Sequence, residues 1–163
     1  MCAARWLSIR QRIPTANHAM GRPVTPLLAA DVIIELADRP GRPIVLIGRA
    51  NPPYGHAIPG GFVDVGEPLE AAAIREAKEE TGLDVRLLVL LGIYSDPARD
   101  PRGHTVTAVY VGEARGTPQA LDDARALAIF SPDKLPNPLA FDHALVLEDY
   151  LRFRQSGQVA PLR

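Results

Sequence analysis

Residues 61–83 constrain this chain more than any other segment, and they read GFVDVGEPLEAAAIREAKEETGL. Glu76, Glu79 and Glu80 close an alanine-rich stretch that is predicted to be helical, and positions i, i+3 and i+4 lie on one face of a helix. Three carboxylates on one face repel each other unless a cation lies between them. Because Mg²⁺ and Mn²⁺ prefer carboxylate and carbonyl oxygen, the pattern predicts a divalent metal site. The glycines ahead of the helix allow bare backbone to approach a ligand closely.

The same segment resembles the Nudix box, which is a glycine, five residues, a glutamate, seven residues, then Arg-Glu-x-x-Glu-Glu-x-Gly and an aliphatic residue. The matching positions are Gly61, Glu67, Arg75, Glu76, Glu79, Glu80, Gly82 and Leu83. A large aliphatic residue is usual after Arg-Glu, whereas this chain has Ala77, which is expected to face the core. The resemblance implies an α/β (α+β mixed) fold, the Nudix-type α/β/α sandwich with a mixed β-sheet, over roughly residues 27–153.

Hydrophobic patterning predicts an alternation of strands with two long helices, as a mixed sheet covered on both faces requires. Strands are predicted at 27–36, 44–49, 85–94, 104–111 and 126–130, with the first two forming a hairpin and the third bent near Gly92. Helices are predicted at 68–81, stopped by Gly82, and at 139–153. Residues 23–155 are predicted to form a single domain, between an N-terminal extension at 1–22 and a tail at 156–163.

Composition narrows the classes of partner and location. A chain of 163 residues with 47% apolar residues and a net charge of −1 can build one real core and offers no surface for nucleic acid. No apolar run is long enough to span a bilayer, and the single cysteine, Cys2, excludes a disulfide framework or a zinc ribbon. The first 22 residues carry four arginines and no acid. They are interpreted as an extension before an internal start at Met20 of a cytoplasmic protein, with a mitochondrial transit peptide as the alternative.

The Nudix resemblance implies hydrolysis of a nucleoside diphosphate linked to another moiety, with Mg²⁺ as cofactor and Mn²⁺ as a substitute. Glu76 and Glu80 are the expected direct metal ligands and Glu79 completes the cluster, with a backbone carbonyl of Gly60 or Gly61 as a further ligand. The catalytic base is left open between a box glutamate (Glu76 or Glu79) and an acid from a distant loop. The remaining catalytic candidates are the side chain expected to orient a box glutamate, Arg75, and the acidic pair before the last strand, Asp122 and Asp123. Adjacent aspartates in a turn also serve simply as solvated caps.

Three segments resemble stretches of bacterial and archaeal ADP-ribose pyrophosphatases. They are YSDPARDPRGH at 94–104, DDA at 122–124 and LAFDH at 139–143. Arginine guanidinium groups pair well with phosphate, and aromatic rings can stack on adenine. The substrate-binding candidates are Arg49, Arg99, Arg102, His104 and Phe62, with Tyr54 and His143 as further options. For each of these the alternative is a solvated loop residue or a packing residue.

The sequence therefore predicts a Mg²⁺-dependent enzyme that splits ADP-ribose into AMP and ribose 5-phosphate. A broader nucleoside-diphosphate or damaged nucleoside-triphosphate hydrolase is the enzymatic alternative. A non-catalytic nucleotide-sensing regulator is disfavoured, because the box is complete and only ten residues follow Phe153. The expected partner is a small nucleotide rather than a nucleic acid or a membrane, and a homodimer is left open.

Overall fold

The computed structural model describes residues 23–120 and 124–163. Its strands are β1 (Leu27–Leu36), β2 (Ile44–Arg49), β3 (His56–Ala57), β4 (Gly60–Phe62), β5 (Arg86–Tyr94), β6 (Thr105–Ala114) and β7 (Ala124–Phe130). Its helices are α1 (Leu69–Thr81) and α2 (His143–Ser156). No helix in this part of the chain is long and apolar enough to cross a membrane.

One mixed sheet organises the domain around β1. Strands run in the order β3-β2-β1-β6-β5, with β4 also paired to β1 and β7 paired to β2. The β1–β6 pair is parallel, whereas the other pairs are antiparallel. The mixed sheet and the β1–β2 hairpin predicted from the sequence are confirmed. The register of β5 against β6 shifts between Leu90 and Gly92, where the sequence predicts a bend.

Helices cover the two faces of the sheet, as the alternation along β1 shows. Val32, Ile34 and Leu36 belong to a buried cluster with the alanines of α1. Ile33 belongs to a second cluster, with Val146, Leu147 and Tyr150 of α2. Because successive residues of a strand point to opposite faces, α1 and α2 lie on opposite sides of the sheet. This arrangement confirms the predicted α/β/α sandwich.

Small residues let α1 pack closely on the sheet. Its buried positions include Ala72, Ala73 and Ala77, each fully buried, so the alanine that departs from the box pattern does face the core as predicted. The helix ends at Gly82, which adopts the left-handed conformation with φ 70°. Pro68 has extended dihedral angles and lies at the N-cap, so the helix begins one residue later than predicted.

The second helix begins at His143 instead of Leu139, so the predicted start is wrong. Leu139 forms a bridge with His56, and the Ala140 amide donates to the His56 carbonyl at 2.8 Å. Phe141 has φ 54°, which an α-helix does not accommodate. These contacts hold residues 139–141 against β3 in a non-helical conformation, and α2 then continues to Ser156.

The strands around β6 and β7 are longer than predicted. Strand β6 continues to Ala114 because β1 pairs with it as far as Leu36. Strand β7 begins at Ala124, opposite Arg49.

The residues predicted as a tail lie against the domain. The Ala160 amide donates to the Leu91 carbonyl at 2.8 Å, and the Arg163 guanidinium binds Asp149 of α2 at 2.7 Å. They therefore tie β5 to α2.

Candidate active site

Arg75 organises the acidic helix end. Its guanidinium group donates two hydrogen bonds to the Glu67 carboxylate, each 2.9 Å, and one to Glu76 at 2.7 Å. It also donates to Glu79 at 3.1 Å and to the Phe62 carbonyl at 3.1 Å. The expected hydrogen bond between Arg75 and a box glutamate is therefore present, and it fixes α1 to the loop that precedes it. These hydrogen bonds raise the pKa of Arg75, so the group stays charged.

Two glycines bring backbone against the box carboxylates. The Gly60 amide donates to the Glu80 carboxylate at 2.9 Å. A methyl group on Gly61 would lie 2.5 Å from the carboxyl carbon of Glu76, far inside contact distance. A side chain at this position would displace the Glu76 carboxylate, which explains in physical terms why the pattern has glycine there.

The two box carboxylates beside these glycines have raised pKa values. Burial raises the pKa of Glu80 to about 8; the nearby Glu76 and Asp31 add to the shift, and the Gly60 amide opposes it. Burial also raises the pKa of Glu76, against the effect of the Arg75 guanidinium. Both groups are thus desolvated anionic positions that a cation would stabilise in their charged form.

A cavity of about 340 Å³ opens beside these carboxylates. Its lining includes Glu76, Glu80, Gly60 and Gly61. Among the substrate-binding candidates, Arg49, Arg99, Arg102, Phe62 and His143 line it too. Glu79 is not among the lining residues, and its side chain is 43% exposed and bonded to Arg75. The structure therefore gathers Glu76 and Glu80 at the cavity and leaves Glu79 outside.

Two arginines that are far apart in the sequence, Arg49 and Arg102, both line the cavity. Arg49, at the end of β2, donates to the Pro53 carbonyl at 2.8 Å. Arg102, in the loop between β5 and β6, pairs with the buried carboxylate of Asp100 at 2.8 Å. Both guanidinium groups lie over the ring of Phe141, at 4.5 and 5.0 Å from its centroid. The cavity is therefore lined by a cationic and aromatic cluster as well as by the box carboxylates.

Arg99 is buried rather than solvated. Its guanidinium group binds Asp142 through two hydrogen bonds of 2.9 and 2.7 Å and donates a third to the Thr107 hydroxyl. The side chain is 4% exposed. Three of its donors are thereby used within the protein, so its clearest contribution is to hold the 95–104 loop against the start of α2.

The remaining histidine and tyrosine candidates divide into one inside the cavity and two outside. His143 is buried, and its Nδ1 accepts from the Ile58 amide at 3.0 Å. Its Nε2 consequently carries the proton and faces the Asp31 carboxylate at 3.5 Å. His104 is exposed, with Nε2 3.2 Å from the Ser95 carbonyl, and Tyr54 is 63% exposed; neither lines the cavity.

Comparisons with known proteins agree with this geometry. The model of the NUDIX domain matches residues 26–150. The chain belongs to the Nudix family. The ADP-ribose pyrophosphatase of Methanocaldococcus jannaschii is 45% identical over 132 residues, which cover 79% of this chain and 75% of that protein. This Nudix hydrolase thus resembles that protein over most of the length of both.

Solved structures place the fold in the same family. A mutT/nudix family protein from Listeria innocua is 31% identical, with a TM-score of 0.66 over 82% of this chain and 98% of that one. The NUDIX domain of Shewanella oneidensis NrtR complexed with ADP ribose is 26% identical, with a TM-score of 0.69 over 82% and 90%.

The donor set of this Nudix hydrolase suits a hard divalent cation, and members of the family generally use one. Within residues 23–120 and 124–163, no three His, Cys, Asp or Glu side chains converge closely enough to hold a metal by themselves. Mg²⁺ usually binds one or two carboxylates and keeps water or substrate phosphate as its other ligands. Glu76 and Glu80 supply such a pair of carboxylates at the cavity wall. The fit is therefore that of an open site completed by substrate.

Asp31, Asp100 and Phe141 line the cavity and are not among the sequence-based candidates. Asp31 carried a signal, because an acid in the middle of the apolar strand LLAADVIIEL must have a reason to be buried. Asp100 lies between two candidate arginines and is not itself among the predicted site residues. Nothing in the residue pattern foretells that Phe141 adopts a positive φ. The acidic pair predicted before the last strand, Asp122 and Asp123, lies outside the described residues.

Proposed function

We propose that this Nudix hydrolase cleaves the diphosphate linkage of ADP-ribose, with Mg²⁺ as its cofactor and Mn²⁺ as a substitute, and releases AMP and ribose 5-phosphate. One observation carries the proposal: a single cavity is lined by the box carboxylates Glu76 and Glu80 and by two arginines that share an aromatic ring. A nucleoside diphosphate ester needs the arginines because its phosphates are anionic. It needs the carboxylates because they hold the cation that its reacting phosphorus requires. The similarity to the ADP-ribose pyrophosphatase of Methanocaldococcus jannaschii supports the choice of substrate.

The reaction is an addition of water to one phosphorus atom of the P–O–P linkage. The bridging P–O bond breaks, and one phosphate stays with the adenosine and the other with the ribose. Two protons are released, because the doubly charged diphosphate becomes two doubly charged phosphate monoesters. When bound, the divalent cation supplies charge neutralisation and polarises a phosphoryl oxygen. Glu76 and Glu80 would hold it, with a backbone carbonyl of Gly60 or Gly61 as a further oxygen ligand.

Hydrogen bonds from neighbouring groups fix the Glu76 and Glu80 carboxylates in place. Arg75 holds the Glu76 carboxylate at 2.7 Å, and the Gly60 amide holds Glu80 at 2.9 Å. Of the three acidic candidates for the general base, Glu76 lines the cavity, Glu79 does not, and Asp123 lies outside the described residues. Among the described residues, Glu76 is therefore the candidate for the general base that lines the cavity proposed to bind the substrate.

The direct test is product analysis with Mg²⁺ and with excess EDTA. Anion-exchange chromatography should show AMP and ribose 5-phosphate in equal amounts with Mg²⁺ and neither with EDTA. Glu80→Gln should lower kcat on the order of 10²-fold, because it removes a charged ligand from the cation that carries the chemistry. Glu148→Gln changes an exposed glutamate of α2 and serves as the matched control.

Full activity in EDTA would contradict the assignment of a metal. Products other than AMP and ribose 5-phosphate would contradict the assignment of the scissile bond. Equal activity of wild type and Glu80→Gln would remove Glu80 from the site.

A further inference from the structure

Phe141 has an unusual backbone conformation at the edge of the cavity. Its φ of 54° lies in the left-handed region, which a bulky residue other than glycine rarely adopts. The neighbouring backbone enforces it: the Ala140 amide donates to the His56 carbonyl, and the His143 amide donates to the Ala140 carbonyl. Unfavourable conformations persist where the surrounding structure over-determines them, and they cluster at ligand-binding sites. The ring that this conformation presents to the cavity is therefore a candidate for a role in binding.

The ring gathers two cations from separate parts of the chain. The guanidinium carbon of Arg49 is 4.5 Å from the ring centroid and that of Arg102 is 5.0 Å from it. Both distances are within the range of a cation–π interaction. Two positive groups on one ring repel each other, and burial followed by the proximity of Arg102 lowers the pKa of Arg49. The Asp100 carboxylate beside Arg102 offsets part of this repulsion, and an anionic ligand that contacts both groups would offset more of it.

Both arginines have guanidinium donors that no described residue engages. Among residues 23–120 and 124–163, the Arg49 guanidinium group donates only to the carbonyls of Pro52 and Pro53 and forms no ion pair with a carboxylate. Arg102 turns its Nε and Nη2 edge to Asp100 and leaves Nη1 unengaged by the described residues. The cavity that both line also contains the desolvated Glu76 and Glu80. A ligand that spans it must present negative charge to the arginines while the box carboxylates face a cation.

We propose that Phe141 is a positioning residue that holds Arg49 and Arg102 together as a subsite for the diphosphate group of the substrate. The identity of that diphosphate as the bond to be cleaved rests on the proposed function, but the anion subsite itself does not. Loss of the aromatic ring lets the two guanidinium groups move apart, which weakens binding without removing any group that touches the reacting atoms.

The test measures binding of inorganic pyrophosphate in EDTA by calorimetry and, separately, hydrolysis of ADP-ribose with Mg²⁺. Phe141→Leu should weaken pyrophosphate binding by about tenfold and raise KM for ADP-ribose by a similar factor, with kcat within about twofold of wild type. Phe141→Tyr keeps an aromatic face and should restore both. Phe153→Leu removes a ring from α2, away from the cavity, and should change neither.

The two proposals fail in different ways. Pyrophosphate binding that depends on Phe141, together with no hydrolysis of ADP-ribose, would leave the subsite standing and overturn the proposed function. Unchanged pyrophosphate binding and KM in Phe141→Leu would overturn the subsite while the function stands, and so would a wild-type protein that does not bind pyrophosphate. Should Phe141→Leu not fold, Arg49→Met and Arg102→Met decide the matter, because the subsite requires each of them to lose binding.

Discussion

The buried pair of Arg99 and Asp142 offers the sharpest test of how the loop between β5 and β6 is held. Its two hydrogen bonds, 2.9 and 2.7 Å long, join the loop between β5 and β6 to the residue before α2. The Arg99 side chain is 4% exposed and that of Asp142 is 18% exposed. Asp142 lies between Phe141 and His143 in the sequence. The pair therefore fixes the start of α2 where that helix borders the cavity.

Arg99→Met should lower the free energy of unfolding by about 2–3 kcal/mol. Removing one partner of a buried ion pair typically costs about 3–5 kcal/mol, and the partial exposure of Asp142 places this pair at or below the lower end. In a domain of this size about 1 kcal/mol corresponds to roughly 2–4 °C, so Tm should fall by about 4–12 °C. Arg99→Lys should also destabilise, because an ammonium group cannot reproduce the two parallel hydrogen bonds.

Urea unfolding of Arg99→Met, Asp142→Leu and the double variant measures the coupling. Because replacing both members of a buried pair by apolar residues is often close to neutral, the double variant should be more stable than the sum of the single effects predicts. If Arg99→Met unfolds at the wild-type urea concentration while KM for ADP-ribose rises, Arg99 contacts the substrate instead and the structural role is refuted.

Two further perturbations probe the box and the C-terminal contacts. Gly61→Ala should abolish most turnover while Tm changes little, because the added methyl group displaces the Glu76 carboxylate; Gly48→Ala, whose methyl group would meet Ala126 at an ordinary 3.5 Å, is the control for steady-state assays. Burial alone would raise the pKa of Asp149, but hydrogen bonds from Arg163 and Tyr94 outweigh it and hold that pKa below its usual range. The stability that Asp149 contributes is therefore present above the unfolded pKa of about 3.9 and is lost as pH falls through the lower folded value. Urea midpoints should accordingly differ less between wild type and Asp149→Asn at about pH 3 than at about pH 7, and a constant difference would show that the ionised form is not what stabilises.

The sequence predicted most of the fold because local pattern and tertiary structure agree along most of the chain. β1 and β2 have the predicted bounds, since their apolar residues lie in the two cores and a short turn joins them. Gly82 stops α1 because only a residue tolerant of positive φ fits there. The start of α2 was wrong because contacts with His56, which are distant in sequence, override the helical pattern at Leu139.

The site was predictable where its residues are neighbours along the chain and much less so elsewhere. The approach of Gly61 to Glu76 and the bonds of Arg75 follow from one continuous motif. The contact of Arg49 and Arg102 with Phe141 joins three separate segments, and no periodicity encodes such a meeting. Single arginines in loops also do not reveal their partners, which is why Arg99 was a candidate for phosphate binding although Asp142 occupies it.

The ratio of kcat/KM for ADP-ribose to that for 8-oxo-dGTP, measured with Mg²⁺ on the wild-type protein, tests the central claim most directly. The proposed function predicts a clear preference for ADP-ribose, because the cavity brings two arginines that can bind a diphosphate together with the box carboxylates. A preference for the triphosphate of about tenfold or more, equivalent to about 1.4 kcal/mol in transition-state binding, would contradict it and assign the chain to hydrolysis of damaged nucleotides.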